Sequence, residues 1–398
     1  MKIGIDARLI GKKRTGDEIY FFNLIKNLSR RNLASTEEYF LFIDRDPEKD
    51  ENLKREINKL ELKDNFKIIF LDFPNRFTWN FWGLSQYLKK KPVDSAGNTE
   101  SNSLNAHSRK ISSGIDIFHT QYIAPFGLPK KIKLVLTIHD ISFNFFPQYI
   151  KKSDLFFLKT LLPRSIRRAN KILTVSQSER KNIIDFYKIP PEKVDFVYNG
   201  VDFERFSQNY SEEQKEKVRK KYKLPEKFVL YIGTFQPRKN IPVLVEAMRK
   251  LDASLVLAGN RKAYNFDKRI EEVIKKNNLS AQVIFPGWVD EEDKPLLLQM
   301  AICFVFPSLY EGFGIPVIEA MAAGTPVICS DIPVLREIGG EAALFCSPQK
   351  SSVFAENIKK VMPSSDWRDN LIQKGKKIAR KFTWQKMAEK IWEIYKSL

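Results

Sequence analysis

Cysteine and histidine are scarce in this chain of 398 residues, with three of each. Cys303, Cys329 and Cys346 stand in apolar runs, form no CxxC pair and have no histidine close by in sequence. That excludes a disulfide scaffold, argues against a zinc site and leaves reduced core thiols. No run reaches the roughly 20 apolar residues that a membrane span needs. The opening residues, MKIGIDARLI, lack the long apolar core of a signal peptide and read as a first strand. Together these absences predict a cytoplasmic protein, soluble or peripheral at the inner face of the membrane. Neither GxxxxGK[ST] nor GxGxxG occurs. No DxD motif is read as a cation site at a strand end. No metal and no cofactor are therefore expected.

Basic residues are abundant. Lys and Arg number 67 against 48 Asp and Glu, a net charge of +19. This favours an anionic partner: nucleic acid, an acidic membrane surface or a phosphorylated substrate. A lysine-rich surface without a specific partner gives the same balance. The length suits two domains, at roughly 100–200 residues each.

Short apolar runs alternate with helical patterns along the chain. Strands are predicted at 2–6, 39–43, 66–71, 115–119, 134–139, 172–175 and 194–197. A second set follows at 228–232, 254–258, 282–285, 303–306, 326–330 and 343–345. Helices are predicted at about 19–28, 178–187, 211–222 and 383–396. The alternation predicts α/β architecture: two Rossmann-like domains, each a parallel sheet with helices on its faces. The boundary is placed near 205, giving domains 1–205 and 206–382, with the helix over 383–398 packing back on the first. Residues 92–113 are polar and read as a mobile loop, so His107 within them is discounted as a ligand. Open parallel sheets bind ligands outside the carboxyl ends of their strands. The predicted site is the cleft between the two.

Four motifs fall at such ends. In FPSLYEGFGIPVIEAM (306–321), a strand leads to Glu311-Gly312-Phe313-Gly314, and a helix starts near Pro316. Proline suits a first helical turn, glycines permit close approach of a ligand, and the free N–H groups with the helix dipole attract an anion. Glu311 and Glu319, seven residues apart, suit sugar or ribose hydroxyls. Ordinary acidic residues at a helix start would explain one glutamate, not the whole pattern. In YIGTFQPRKN (231–240), a strand ends at Gly233-Thr234, and Arg238-Lys239 precede a helix. That pair would hold a diphosphate and neutralise charge on a leaving group; a solvated pair would read alike. TIHD (137–140) puts His139 and Asp140 at a strand end, where a structural histidine is the alternative. His119 ends another strand and ranks lower. GKKRTG (11–16) joins the first strand to the first helix, with Lys12, Lys13 and Arg14 either solvated or meeting an anionic acceptor. The segment 156–168, FFLKTLLPRSIRR, mixes apolar and basic residues and reads as a core-facing helix or one lying on an anionic bilayer.

The 311–319 segment resembles the E-x7-E motif of retaining glycosyltransferases of family 4, which have the GT-B fold, and the resemblance covers nearly the whole chain. It implies that Glu311 sits beside the donor sugar and Glu319 holds the ribose. It implies that Gly312, Phe313, Gly314 and Ile315 present backbone N–H groups to sugar and diphosphate. It further implies donor-phosphate contacts from Gly233, Thr234, Arg238 and Lys239, a sugar contact from His139 and close approach at Gly16. The chain departs from many members in carrying Thr234 after the strand's glycine and GDEIY where relatives read GIGRY. The reading GT…PRKN is similar to a subgroup that includes enzymes using GDP-mannose. The resemblance implies metal-free, front-face transfer of a hexose, such as mannose from GDP-mannose. The donor would be a GDP- or UDP-sugar, and the acceptor a glycan or lipid-linked molecule in cell-surface polysaccharide or glycolipid synthesis.

Three other readings are weighed. A nucleotide-sugar epimerase of the same fold would need no acceptor, and a phosphorylase would need a lysine-bound pyridoxal cofactor. A nucleic-acid-binding protein would cluster its basic residues on one face. Here they are spread over both halves, so no nucleic-acid partner is expected.

Overall fold

The computed structural model describes residues 1–12, 16–31, 37–73, 78–89, 114–262 and 265–398. Lys13, Arg14, His107 and the polar stretch 92–113 lie outside the described residues.

Seven strands form the first sheet: β1 (Lys2–Asp6), β2 (Glu38–Ile43), β3 (Phe66–Phe70), β4 (Ile117–Gln121), β5 (Lys133–Thr137), β6 (Lys171–Thr174) and β7 (Val194–Phe196). Six form the second: β8 (Phe228–Ile232), β9 (Ser254–Ala258), β10 (Val283–Gly287), β11 (Cys303–Phe306), β12 (Val327–Ser330) and β13 (Ala343–Cys346). All pairings are parallel. The orders are β3-β2-β1-β4-β5-β6-β7 and β10-β9-β8-β11-β12-β13. The two sheets thus share one winding, which reverses direction between β1 and β4 and between β8 and β11. The fold is GT-B: two Rossmann-like α/β lobes, meeting at the carboxyl ends of their sheets.

The central strands are covered on both faces and read as unbroken apolar runs, as parallel sheets require. FVLYI of β8 and CFVF of β11 are buried throughout. Cys303, Cys329 and Cys346 are buried free thiols within this core.

Two segments connect the lobes and touch each other. A Cβ placed on Gly200 would lie 2.1 Å from the Trp384 nitrogen, so only glycine fits this crossing. Val201 N–H donates to Phe382 O at 3.0 Å. After it, the helix Trp384–Lys396 returns to the first lobe. It packs on the helix Gly16–Arg30, with Ile391 and Tyr395 buried and Arg31 over the Trp392 ring at 3.4 Å.

Three local expectations shift. β4 begins at Ile117, so His119 is its middle residue rather than its end. Pairing of Ile3 with Ile117 sets that register, which a strand buried on both faces does not specify by alternation. β5 stops at Thr137, leaving His139 two residues beyond it in the loop. Gly16 is the first residue of its helix, not part of the preceding loop.

Candidate functional site

The loops after β8 and β11 meet at the point where the second sheet's winding reverses, where ligands of open α/β sheets bind. After β8, Pro237 fixes one backbone angle and opens the single turn Pro237–Lys239. Asn240 ends it in the left-handed region, at φ 54°, a conformation asparagine tolerates. Its side-chain amide donates to Pro307 O (3.2 Å) and Pro348 O (2.7 Å), fastening this turn to the loops after β11 and β13. The sequence PRKN thereby aims Arg238 and Lys239 across at Glu311.

Lys239 Nζ is in direct contact with Glu311 Oε1, and Arg238 Nη1 stands 3.5 Å from Glu311 Oε2. Arg238 also donates to Tyr310 O (3.0 Å), and its Nη2 lies 4.0 Å from Asp140 Oδ2. All three paired side chains are nearly enclosed, at 10 % (Lys239), 9 % (Glu311) and 16 % (Arg238) exposure, so the pairs are little screened by water. Burial alone would push the Glu311 carboxyl up, but the Lys239 ammonium and Arg238 guanidinium outweigh it and hold the group ionised, below its usual range. Burial followed by repulsion from Arg238 lowers Lys239. Two adjacent cations therefore crowd around one carboxylate, and a second anion would relieve both.

The glycine loop is shaped by the other lobe. A Cβ on Gly312 would lie 2.1 Å from His139 O, so glycine is what lets the two lobes touch here. Ser176 Oγ donates to Gly312 O at 2.7 Å. Gly314, at φ 116°, turns the chain into the helix Ile315–Ala323, with Pro316 in its first turn. Phe313 is buried, and Ile315 is partly so. Glu319 is also buried, with Lys294, Glu291 and Arg205 as the charges around it. Burial raises its carboxyl, opposed chiefly by Lys294, which itself pairs with Glu291 at 2.6 Å. Gly233 N–H donates to Ala258 O (3.0 Å), and Thr234 beside it is exposed.

In the first lobe His139 is buried, its Nε2 paired with Gln121 Oε1 (3.0 Å) and 3.9 Å from Asp17 Oδ1, with Tyr20 edge-on at 4.9 Å. Asp140 Oδ1 accepts from Ser142 N–H (2.9 Å) and Ser142 Oγ (2.6 Å). His119 is a core histidine, bridging Tyr395 (2.5 Å) and Thr137 (2.7 Å), and burial lowers it to about 3. Lys12 is exposed and pairs with Asp44 at 2.6 Å. Among the described residues, nothing beyond its chain neighbours and its own helix backbone lies within 4 Å of where a Cβ on Gly16 would stand. An Asp44-Arg45-Asp46 sequence follows β2. Its carboxylates serve Lys12 and the Glu48 N–H (3.0 Å). Among the described residues, no group of three His, Cys, Asp or Glu stands where it could hold a metal ion.

Sequence reading missed Glu179 and Tyr310. Ser176-x-x-Glu179 has the spacing of a helix capping box, the one signal that was present. Ser176 Oγ does accept from Glu179 N–H (3.0 Å). The Glu179 carboxylate turns away instead, accepting from Ile141 N–H (2.7 Å), Tyr310 OH (2.6 Å) and Asn182 Nδ2 (3.1 Å).

Comparison with known proteins gives two family matches: "Glycosyltransferase Family 4" over residues 15–205 and "Glycosyl transferases group 1" over 212–378. O-antigen chain mannosyltransferase B of Escherichia coli is 31% identical over 281 residues, covering 69% of this chain and 73% of the relative. O-antigen chain mannosyltransferase RfbU of Salmonella typhimurium is 32% identical over 229 residues, covering 57% of this chain and 60% of the relative. Among solved structures, sucrose-phosphate synthase from Thermosynechococcus elongatus matches with a TM-score of 0.73 at 20% identity, over 100% of this chain and 98% of that one. Anabaena HepE in complex with UDP and glucose matches at 0.71 and 18% identity, over 100% of both chains. At such identities the two structures bear on fold alone.

Proposed function

The chain belongs to glycosyltransferase family 4, and from that membership we propose that it transfers a hexose, with retention of configuration, from a nucleotide-diphosphate sugar to a glycan or lipid-linked acceptor. The mannosyltransferases among its relatives support mannose as the sugar. With the PRKN sequence they favour GDP-mannose as the donor. Their O-antigen role supports a place in cell-surface polysaccharide synthesis. Residues 206–382 form the donor side. Residues 1–205, with the helix returning over 383–398, form the acceptor side.

The observation that carries this reading is the buried contact of Lys239 and Arg238 with Glu311 at the winding reversal of the second sheet. An arriving diphosphate competes with Glu311 for both cations. It takes them, with the N–H groups of Gly312 to Ile315 at the helix start, and releases Glu311 toward the donor sugar. Glu319 holds the ribose, and Gly233 and Thr234 border the phosphates. As the glycosidic bond breaks, Arg238 and Lys239 stabilise the charge gathering on the departing diphosphate. The acceptor attacks the same face and the departing phosphate takes its proton. His139 lines the sugar, Asp140 orients Arg238 and the acceptor side, and Gly16 leaves room for the diphosphate. The two cations do the neutralising work of a divalent ion, so activity persists in a metal chelator.

Thermal shift across nucleoside diphosphates tests the donor site. GDP at about 100 times its Kd should stabilise the fold by about 2.7 kcal/mol. Lys239→Ala and Glu319→Ala should abolish the shift. An unchanged shift in both variants, or transfer that stops in chelator and returns with a divalent ion, contradicts the reading.

A further inference from the structure

The two halves of the proposed site belong to different lobes. His139 and Asp140 follow β5, and Glu311 follows β11. A transfer reaction tolerates little error in their separation, since a misplacement of about 1 Å can cost around a hundredfold in rate. Something must therefore fix one loop against the other.

Glu179 touches both. Its Oε1 accepts from Ile141 N–H, the residue after Asp140, at 2.7 Å. Its Oε2 accepts from Tyr310 OH, the residue before Glu311, at 2.6 Å. Asn182 Nδ2 donates to Glu179 Oε2 (3.1 Å) and to Tyr310 OH (3.0 Å), filling the remaining positions. Glu179 is fully buried. The Tyr310 ring is held by stacking on Phe145, centroids 5.4 Å apart, and its carbonyl receives Arg238.

We propose that Glu179, acting through Tyr310, is a positioning residue for transfer: one buried carboxylate sets the His139–Asp140 loop against the Glu311 loop. The inference rests on the glycosyltransferase reading above. A merely structural role fits the observations less well. A capping glutamate returns to its own helix end, and this one does not. Burying a carboxylate near Asp140 costs stability that an apolar side chain would spare. The hydrogen bonds run to the two segments carrying the proposed chemistry, to Ile141 beside Asp140 and to Tyr310 beside Glu311.

The test is steady-state release of GDP from GDP-mannose by the full chain, together with the Kd for GDP. Tyr310→Phe removes one hydroxyl and keeps the ring. It and Glu179→Ala should each lower kcat by about tenfold to a hundredfold, with the GDP Kd within about twofold. Glu179→Gln retains an oxygen for Ile141 and an amide for Tyr310, and should restore most of kcat. The double variant Glu179→Ala/Tyr310→Phe should be no slower than the slower single one, because the two act as a unit. Wild-type kcat in Tyr310→Phe, or equal losses in Glu179→Gln and Glu179→Ala, overturns the proposal. Should Glu179→Ala fail to fold, Tyr310→Phe still decides. A wild-type chain that neither binds GDP nor turns over any sugar nucleotide would instead strike at the functional reading itself.

Discussion

Glu311 and Glu179 are both buried carboxylates, yet their surroundings drive them in opposite directions. Two cations keep Glu311 ionised, whereas burial, then the charge of Asp140, push Glu179 up to about 7 from an ordinary 4.5. The other groups facing Glu179 are Tyr310, Asn182, Tyr187 and Tyr122. A carboxyl raised by folding takes up a proton on folding. Its contribution to stability is full below pH 4.5 and is lost as pH rises through about 7. Glu179→Gln cannot ionise, so its melting temperature should lack the wild-type decline between about pH 4.5 and 7. An undiminished decline in Glu179→Gln contradicts that assignment. Glu311, Glu319, Arg238 and Lys239 were legible because each belongs to a short motif beside a strand end. Glu179 was not, because its partners Ile141 and Tyr310 lie 38 and 131 residues away. The partner of Lys12 was hidden for the same reason: Asp44 is 32 residues off.

At the scale of the element, the first turn of the helix Gln177–Tyr187 is tied to the other lobe. Its free N–H groups at Gln177 and Ser178 donate to the Glu337 carboxylate at 2.7 and 2.8 Å, a cap supplied by the other lobe. Glu337→Ala should cost about 1–2 kcal/mol, read as a lower denaturant midpoint, and Glu337→Gln less than half of that. No change in Glu337→Ala would mean that this cap contributes nothing to holding the lobes. Element positions were largely legible, because apolar runs between polar turns mark buried strands. β1, β8, β9 and β11 lie where the sequence predicts them. Registers were less so: with both faces of β4 buried, alternation gives no phase, and only pairing with β1 sets it.

Across the whole molecule, charge and aromatic exposure bear on where the enzyme works. No described helix is long and apolar enough to cross a membrane. The helix Lys152–Arg168 buries Leu162, Ser165 and Ile166, while Phe156 stays 65% exposed between the exposed Lys152 and Lys159. With a net charge of +19, this face should bind an anionic bilayer. Sedimentation should show binding to vesicles containing phosphatidylglycerol, weakened several-fold in Phe156→Ala and by salt. Equal binding to neutral vesicles, or none to either, contradicts this. The repetition of one winding in two sheets was visible as two successive sets of strand–helix units. How the lobes close on one another was not, because that depends on Gly312, Ser176 and Glu337 meeting across long sequence separations.

The central claim is that the Lys239–Glu311 pair opens to receive the diphosphate of a sugar nucleotide in the crevice between the lobes. A crystal structure of the chain with GDP tests it most directly. The account predicts phosphate oxygens about 3 Å from Lys239 Nζ and from the Arg238 guanidinium, and ribose hydroxyls at Glu319. A nucleotide bound elsewhere, with Lys239 still seated on Glu311, would contradict it.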